Sequence, residues 1–144
     1  MIYSSACEYA IRALTYLATH SNKLCLVREI AESEKLPQYF LGKILQDLVD
    51  EGLLRSVKGR GGGFQLTKPP EKLTLYEIKE AVDGVADLEE CAVGIAKCSD
   101  TVPCPLHETF KPLREQIKKY LKETSLANMA RAVQKKKARL RRGR

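Results

Sequence analysis

Apolar residues recur at Ala6, Tyr9/Ala10, Ala13/Leu14 and Leu17 between Ser5 and His20, the spacing of a helix with one buried face. Ser5 with Glu8 three residues on predicts a capping box at its start, and His20 suits a cap at its end. A shorter apolar group, Val27, Ile30 and Ala31, precedes Pro37. Proline costs nothing at the first position of a helix, where its missing amide would have no partner. The next stripe is Leu41, Ile44, Leu45, Leu48 and Val49, closed by Gly52 as a left-handed cap. A short helix, a tight turn and a longer amphipathic helix predict a helix-turn-helix.

Two short β-prone runs follow, Leu53–Val57 and Phe64–Thr67, flanking Lys58-Gly59-Arg60-Gly61-Gly62-Gly63. Glycine opens backbone angles closed to other residues, so this stretch predicts a β-hairpin with a glycine-rich tip. Helix-turn-helix plus hairpin is the winged variant. Thr74 and Glu77 predict a second capping box, starting a helix with Leu75, Ile78 and Val82 inward and Gly84 past its end. Periodicity then lapses over residues 85–105, a loop long enough to require a functional reason. It resumes with Phe110, Leu113, Ile117 and Tyr120/Leu121, in a helix that Pro112 either kinks or starts, and continues through Leu126, Met129 and Val133. The predicted fold is mainly α: a winged helix-turn-helix over 1–84, a cysteine-rich loop over 85–105 and a long helix with a helical segment over 106–130. A basic, frayed tail is expected over 131–144.

Charge refines the picture. The net charge is +7, but residues 131–144 hold eight basic side chains and no acid, leaving 17 basic against 18 acidic residues in the body. Within that near-neutral body, Leu53–Lys68 carries Arg55, Lys58, Arg60 and Lys68 and no acid. A localised positive patch argues for phosphate contact better than total charge does. No apolar run approaches the roughly 18 residues a membrane span requires, and the first twelve residues lack a secretory layout. A cytoplasmic protein with reduced thiols is therefore expected.

Three of the five cysteines, Cys91, Cys98 and Cys104, lie in the loop, with His107 three residues after the last. Soft sulfur ligands select zinc or iron–sulfur over calcium or magnesium. Structural zinc sites pinch ligands in pairs two to four residues apart, whereas intervals of six and five residues suit an iron–sulfur cluster better. Cys7 and Cys25, beside apolar neighbours, read as small buried hydrophobes.

The octapeptide Cys7-Glu8-Tyr9-Ala10-Ile11-Arg12-Ala13-Leu14, the wing Lys58–Phe64, the segment Ala81-Val82-Asp83-Gly84 and the three-cysteine loop before a long helix resemble the IscR/NsrR family of bacterial winged-helix regulators. The resemblance covers Met1 to Met129 and leaves out the basic tail. It implies a homodimer joined through the helix near Leu106–Glu123, and hence through Phe110, Leu113, Ile117 and Leu121. It also implies an iron–sulfur cluster, two-iron in preference to four-iron, on Cys91, Cys98, Cys104 and one non-cysteine ligand. Iron–sulfur-biogenesis regulators of that family use a histidine where His107 stands; its nitric-oxide and redox sensors use an acidic residue where Glu8 stands. His107 is favoured, because Glu8 is already explained as a cap. The first cysteine interval is one residue longer than the family commonly has, which leaves two- and four-iron clusters both open.

A recognition helix presents its N-terminal residues to base edges, which nominates Gln38, Tyr39 and Lys43, with Arg55, Lys58 and Arg60 from the wing. Arg60 at the tip is suited to a narrow minor groove. A symmetric dimer implies a pseudo-palindromic operator on double-stranded DNA. The expected function is transcriptional repression governed by the cluster. The alternatives are a zinc-bound or thiol-switching regulator without iron, and an iron–sulfur carrier that uses the fold without DNA. No nucleophile–base pairing or phosphate-binding loop argues for an enzyme.

Overall fold

The computed structural model describes residues 2–143. Its elements are α1 (Ser5–Thr19), α2 (Val27–Glu34), α3 (Gln38–Asp50), β1 (Leu54–Val57), β2 (Gly63–Leu66), α4 (Leu75–Val82), α5 (His107–Glu123) and α6 (Leu126–Arg142), with 3-10 turns at Pro70–Lys72 and Ala86–Glu89. Helix α1 is the hub. Cys7, Ala10, Ala13 and Leu14 are fully buried where it meets α2, α3, α4 and α6. Leu41, Leu45 and Leu48 of α3 and Leu75 and Ile78 of α4 close the core around it. Each such leucine contributes about 1.5–3 kcal/mol relative to exposure.

The wing is an antiparallel pair in the register Leu54↔Leu66 to Val57↔Gly63. A third strand position comes from Cys25, whose amide donates to the Phe64 carbonyl at 3.0 Å and whose carbonyl accepts from Phe64 at 2.8 Å. This approach requires Gly63: its φ is +144°, and a Cβ there would stand 2.6 Å from the Cys25 carbonyl oxygen. The hairpin is thus stitched to the loop between α1 and α2.

At the far end of the winged helix-turn-helix, Leu126 N donates to Leu73 O at 2.7 Å and Leu75 N to Thr124 O at 3.0 Å. These bonds fasten the α5–α6 corner to the start of α4, where the predicted Thr74–Glu77 capping box is present.

Three expectations need correction. The cap of α1 is Ser4, not Ser5: the Ser4 hydroxyl accepts from Cys7 N at 3.0 Å and donates to the Asp83 carboxylate. Glu8 is therefore not a capping-box partner. Pro37 is the residue before α3 and not its first, while Pro112 lies inside α5. The supposed frayed tail is helical as far as Arg142, because Ser125 caps α6 through Asn128 N and Leu126, Ala127 and Ala130 are buried; Arg144 lies outside the described residues.

Candidate metal centre and nucleic-acid interface

The chain after α4 is shaped by charge. Lys79, only 2% exposed, reaches Asp87 at 3.0 Å and Asp83 at 3.9 Å, pinning the 86–89 turn beside α4. Beyond it, Cys98 N donates to Glu89 O at 3.0 Å and Cys91 N to Ala96 O at 3.2 Å. The loop therefore doubles back, with Gly94 in the left-handed region at its tip. His107 opens α5, its amide bound to the Cys104 carbonyl at 3.0 Å.

These constraints put Cys91, Cys98, Cys104 and His107 on the wall of one cavity of about 410 Å³. The Val93 backbone first, then the Cys104 side chain, lowers the pKa of the Cys91 thiol. The Cys98 sulfur lies 3.0 Å from Nδ1 of His107. On the other side of that ring, Nε2 is 2.7 Å from Asp100 Oδ1. Lys111, through hydrogen bonds of 2.7 and 2.9 Å, and then His107 hold the Asp100 carboxyl below its usual range. A carboxylate only accepts, so Nε2 carries a proton, and Nδ1 is the ring atom turned to the Cys98 sulfur.

Arg114 completes the site. Its side chain is buried, and its contact with Cys98 raises its pKa further. Its Nη1 donates to Glu90 O at 3.5 Å, while Nε, buried without a hydrogen-bond partner among the described residues, faces Glu115 Oε1 at 3.8 Å. Arg114 is not on the cavity wall itself; it sets a buried positive charge behind Cys98. Three thiols, an imidazole and that cation fit an iron–sulfur cluster by their chemistry. Among the described residues, no three His, Cys, Asp or Glu side chains converge on a point that a single ion would occupy.

Sequence spacing nominated His107 and the cysteines but missed Asp100, Lys111 and Arg114. Lys111 and Arg114 were findable, four and seven positions after His107 on one helical face; Asp100 carried no signal. Glu8 is exposed in the first turn of α1 and is not on this cavity wall.

On the DNA-binding side, Leu41 and Ile44 are buried, so α3 turns Gln38, Tyr39, Lys43 and Gln46 outward along a shallow groove. Tyr39 is 80% exposed, with Lys43 Nζ 4.7 Å from its ring centre. At the wing, Gln65 accepts from Arg55 at 3.0 and 2.6 Å, while Lys58 and Arg60 project from a turn that holds Gly59 and Gly61 at positive φ. Lys68 departs from the expected patch: Glu77 neutralises it at 2.7 Å. Of the residues assigned to dimerisation, Leu113 is 56% exposed while Phe110 and Ile117 are half-buried. Leu121 is fully buried in its own chain's core and has no surface to offer a partner.

The Rrf2 family, described as iron-dependent transcriptional regulators, matches residues 3–132. The chain belongs to the Rrf2 family. A helix-turn-helix transcriptional regulator of Aquifex aeolicus is 37% identical over 131 residues, covering 90% of this chain and 91% of its own. An NsrR of Shouchella clausii is 33% identical over 63% of this chain and 62% of its own, and an IscR of Vibrio atlanticus 28% identical over 90% and 75%. Among solved structures, the fold is shared with CymR of Bacillus subtilis, titled a global cysteine regulator (TM-score 0.74, 22% identity, 90% and 95% covered), and with T. potens IscR (TM-score 0.70, 23% identity, 90% and 86% covered). As an Rrf2 member with this architecture, the chain is a winged-helix, DNA-binding transcriptional regulator. No described helix is long and apolar enough to cross a membrane.

Proposed function

We propose that this Rrf2 protein is a homodimeric repressor whose operator affinity depends on an iron–sulfur cluster held by Cys91, Cys98, Cys104 and His107. The observation that carries the reading is the gathering of three thiols and an imidazole on the wall of one cavity, with the Cys98 sulfur 3.0 Å from Nδ1 of His107. Four donors spread over one cavity wall, no three of them converging on a single-ion point among the described residues, suit a two-iron cluster better than one zinc ion. When bound, such a cluster supplies iron–sulfur bonds that oxidants, nitric oxide or iron scarcity can break.

The chain's own residues do the rest. Asp100, steadied by Lys111, fixes the ring of His107 and the proton on Nε2. Arg114 supplies positive charge at the cavity. Gln38, Tyr39 and Lys43 meet base edges in the major groove, and Arg55, Lys58 and Arg60 meet the backbone and minor groove. Exposed Val93, Ile95 and Val102 on the cavity rim and Leu113 and Tyr120 on α5 are covered in the dimer, whose two-fold axis calls for a pseudo-palindromic operator.

Anaerobic protein is expected to be brown, with absorption and Mössbauer spectra of a two-iron cluster. His107→Ala is expected to lose or shift those spectra and Glu8→Ala to leave them unchanged. Affinity for a duplex selected from random sequence should differ between cluster-loaded and cluster-free protein. Colourless material with unchanged affinity would sink the reading.

Cys91 and Cys104 share one cavity wall, and Cys104 helps to lower the Cys91 pKa; this favours a second reading, in which these thiols themselves switch by forming a disulfide. Mass loss of two hydrogens between these cysteines after mild peroxide, in colourless protein whose DNA affinity changes with it, would select that reading.

A further inference from the structure

The C-terminal half of α6 lies beyond the family match, which ends at residue 132, and takes no part in the metal-centre reading. Between positions 135 and 142 it carries Lys135, Lys136, Lys137, Arg139, Arg141 and Arg142 and no acid. Like charges at helical spacing repel and weaken an isolated helix, so this segment needs anchorage. One anchor is visible. Lys137 Nζ lies 2.8 Å from Oε1 of Glu34, a carboxylate only 8% exposed that also faces Arg12 at 3.8 Å. Glu34 is the last residue of α2, three positions before Pro37, the cap of α3.

The basic arm is therefore fastened to the turn from which the recognition helix starts. From Lys137 to Arg142 the helix advances about 8 Å, and its remaining cations stand exposed. Their charge calls for a polyanion. A membrane surface would need an apolar face as well, and Leu140 is the one large apolar side chain exposed in this stretch. Duplex DNA already placed against α3 supplies phosphates at the right end of the molecule.

We propose that residues 135–142 of α6 form a second phosphate-binding surface, gripping the DNA backbone beside the groove that α3 enters. The proposal rests on the DNA-binding reading of α3 and the wing. It makes α6 a positioning clamp without sequence preference.

The test is fluorescence anisotropy of the full-length protein on a random-sequence duplex of about 30 base pairs across a potassium chloride series. Four proteins are compared: wild type, the quadruple variant Lys136→Gln/Arg139→Gln/Arg141→Gln/Arg142→Gln, a chain ending at Gln134, and the wing variant Lys58→Gln/Arg60→Gln. Each phosphate contact adds roughly 0.9 to the salt slope. The quadruple variant is thus expected to lose about 2–3 from the slope and at least about tenfold in affinity at low salt. Should that variant melt early in circular dichroism, the shortened chain gives the same reading. Slopes unchanged in both arm variants, with binding weakened in the wing variant, would overturn the clamp and leave the regulator intact. Absence of DNA binding in every protein, wild type included, would overturn both. Arm-dependent binding to a single-stranded RNA or to anionic vesicles exceeding that to the duplex would assign the surface elsewhere and overturn it too.

Discussion

Sulfur meets two environments in this chain. Cys7 and Cys25 are fully buried in the core, and burial pushes the Cys7 thiol up to about 12 and raises that of Cys25; the three loop thiols are partly open. Iodoacetamide at pH 8 on cluster-free native protein is therefore expected to add three labels, at Cys91, Cys98 and Cys104, and five in denaturant, read by intact mass. A thiol whose folded pKa exceeds its unfolded value stabilises the fold fully below pH 9.0 and loses that contribution as the pH climbs toward about 12. Urea midpoints should accordingly fall over that interval and fall less in Cys7→Ala, measured against its own value at pH 8. Gly63→Ala meets both a positive φ and the Cys25 carbonyl, and a loss of more than about 1 kcal/mol in urea unfolding is expected. Burial of the two core cysteines was legible from their apolar neighbours. The Cys25–Phe64 bridge was not, because local periodicity says nothing of a pairing 39 positions away.

Helix ends show how far pattern reading reaches. A serine followed by glutamate three positions later matched the rule at Ser5, yet the chain uses Ser4, which also holds Asp83 beyond the end of α4. Ser4→Ala should cost about 1 kcal/mol in thermal or urea unfolding, whereas Ser5→Ala should stay within about 0.5 kcal/mol. The cap of α4 was legible because sequence and geometry agree there. Helix α6 was misjudged beyond Ala130 because charge density reads as solvation, although lysine, arginine and alanine are good helix formers and its contacts with α1 and Glu34 are tertiary. The wing patch was overcounted for a similar reason: Lys68 finds its acid nine residues on, in another element. Lys79→Met keeps the buried stem but removes the ammonium that pins the 86–89 turn. A loss of about 1–2 kcal/mol is expected, with faster amide exchange at the turn and at Cys98.

At the level of the molecule, the α5 stripe divides into a covered and an open part. Leu121 serves the chain's own core, while Leu113 stands open. Under the dimer reading, Leu113→Glu should yield a folded monomer by sedimentation, with operator affinity reduced by an order of magnitude or more. Leu121→Glu should instead unfold the chain, since a buried unpaired charge costs several kcal/mol. Amphipathic spacing alone cannot separate these roles, because both residues lie on one helical stripe and only tertiary packing, with α4 against α5, decides which is already covered. The two backbone bonds between the α5–α6 corner and the start of α4 leave little slack between the helix assigned to the subunit contact and the unit that reads bases. A few degrees of roll where two copies meet would be carried outward as a lever carries it, growing with distance, until the paired reading heads no longer matched the pitch of the duplex.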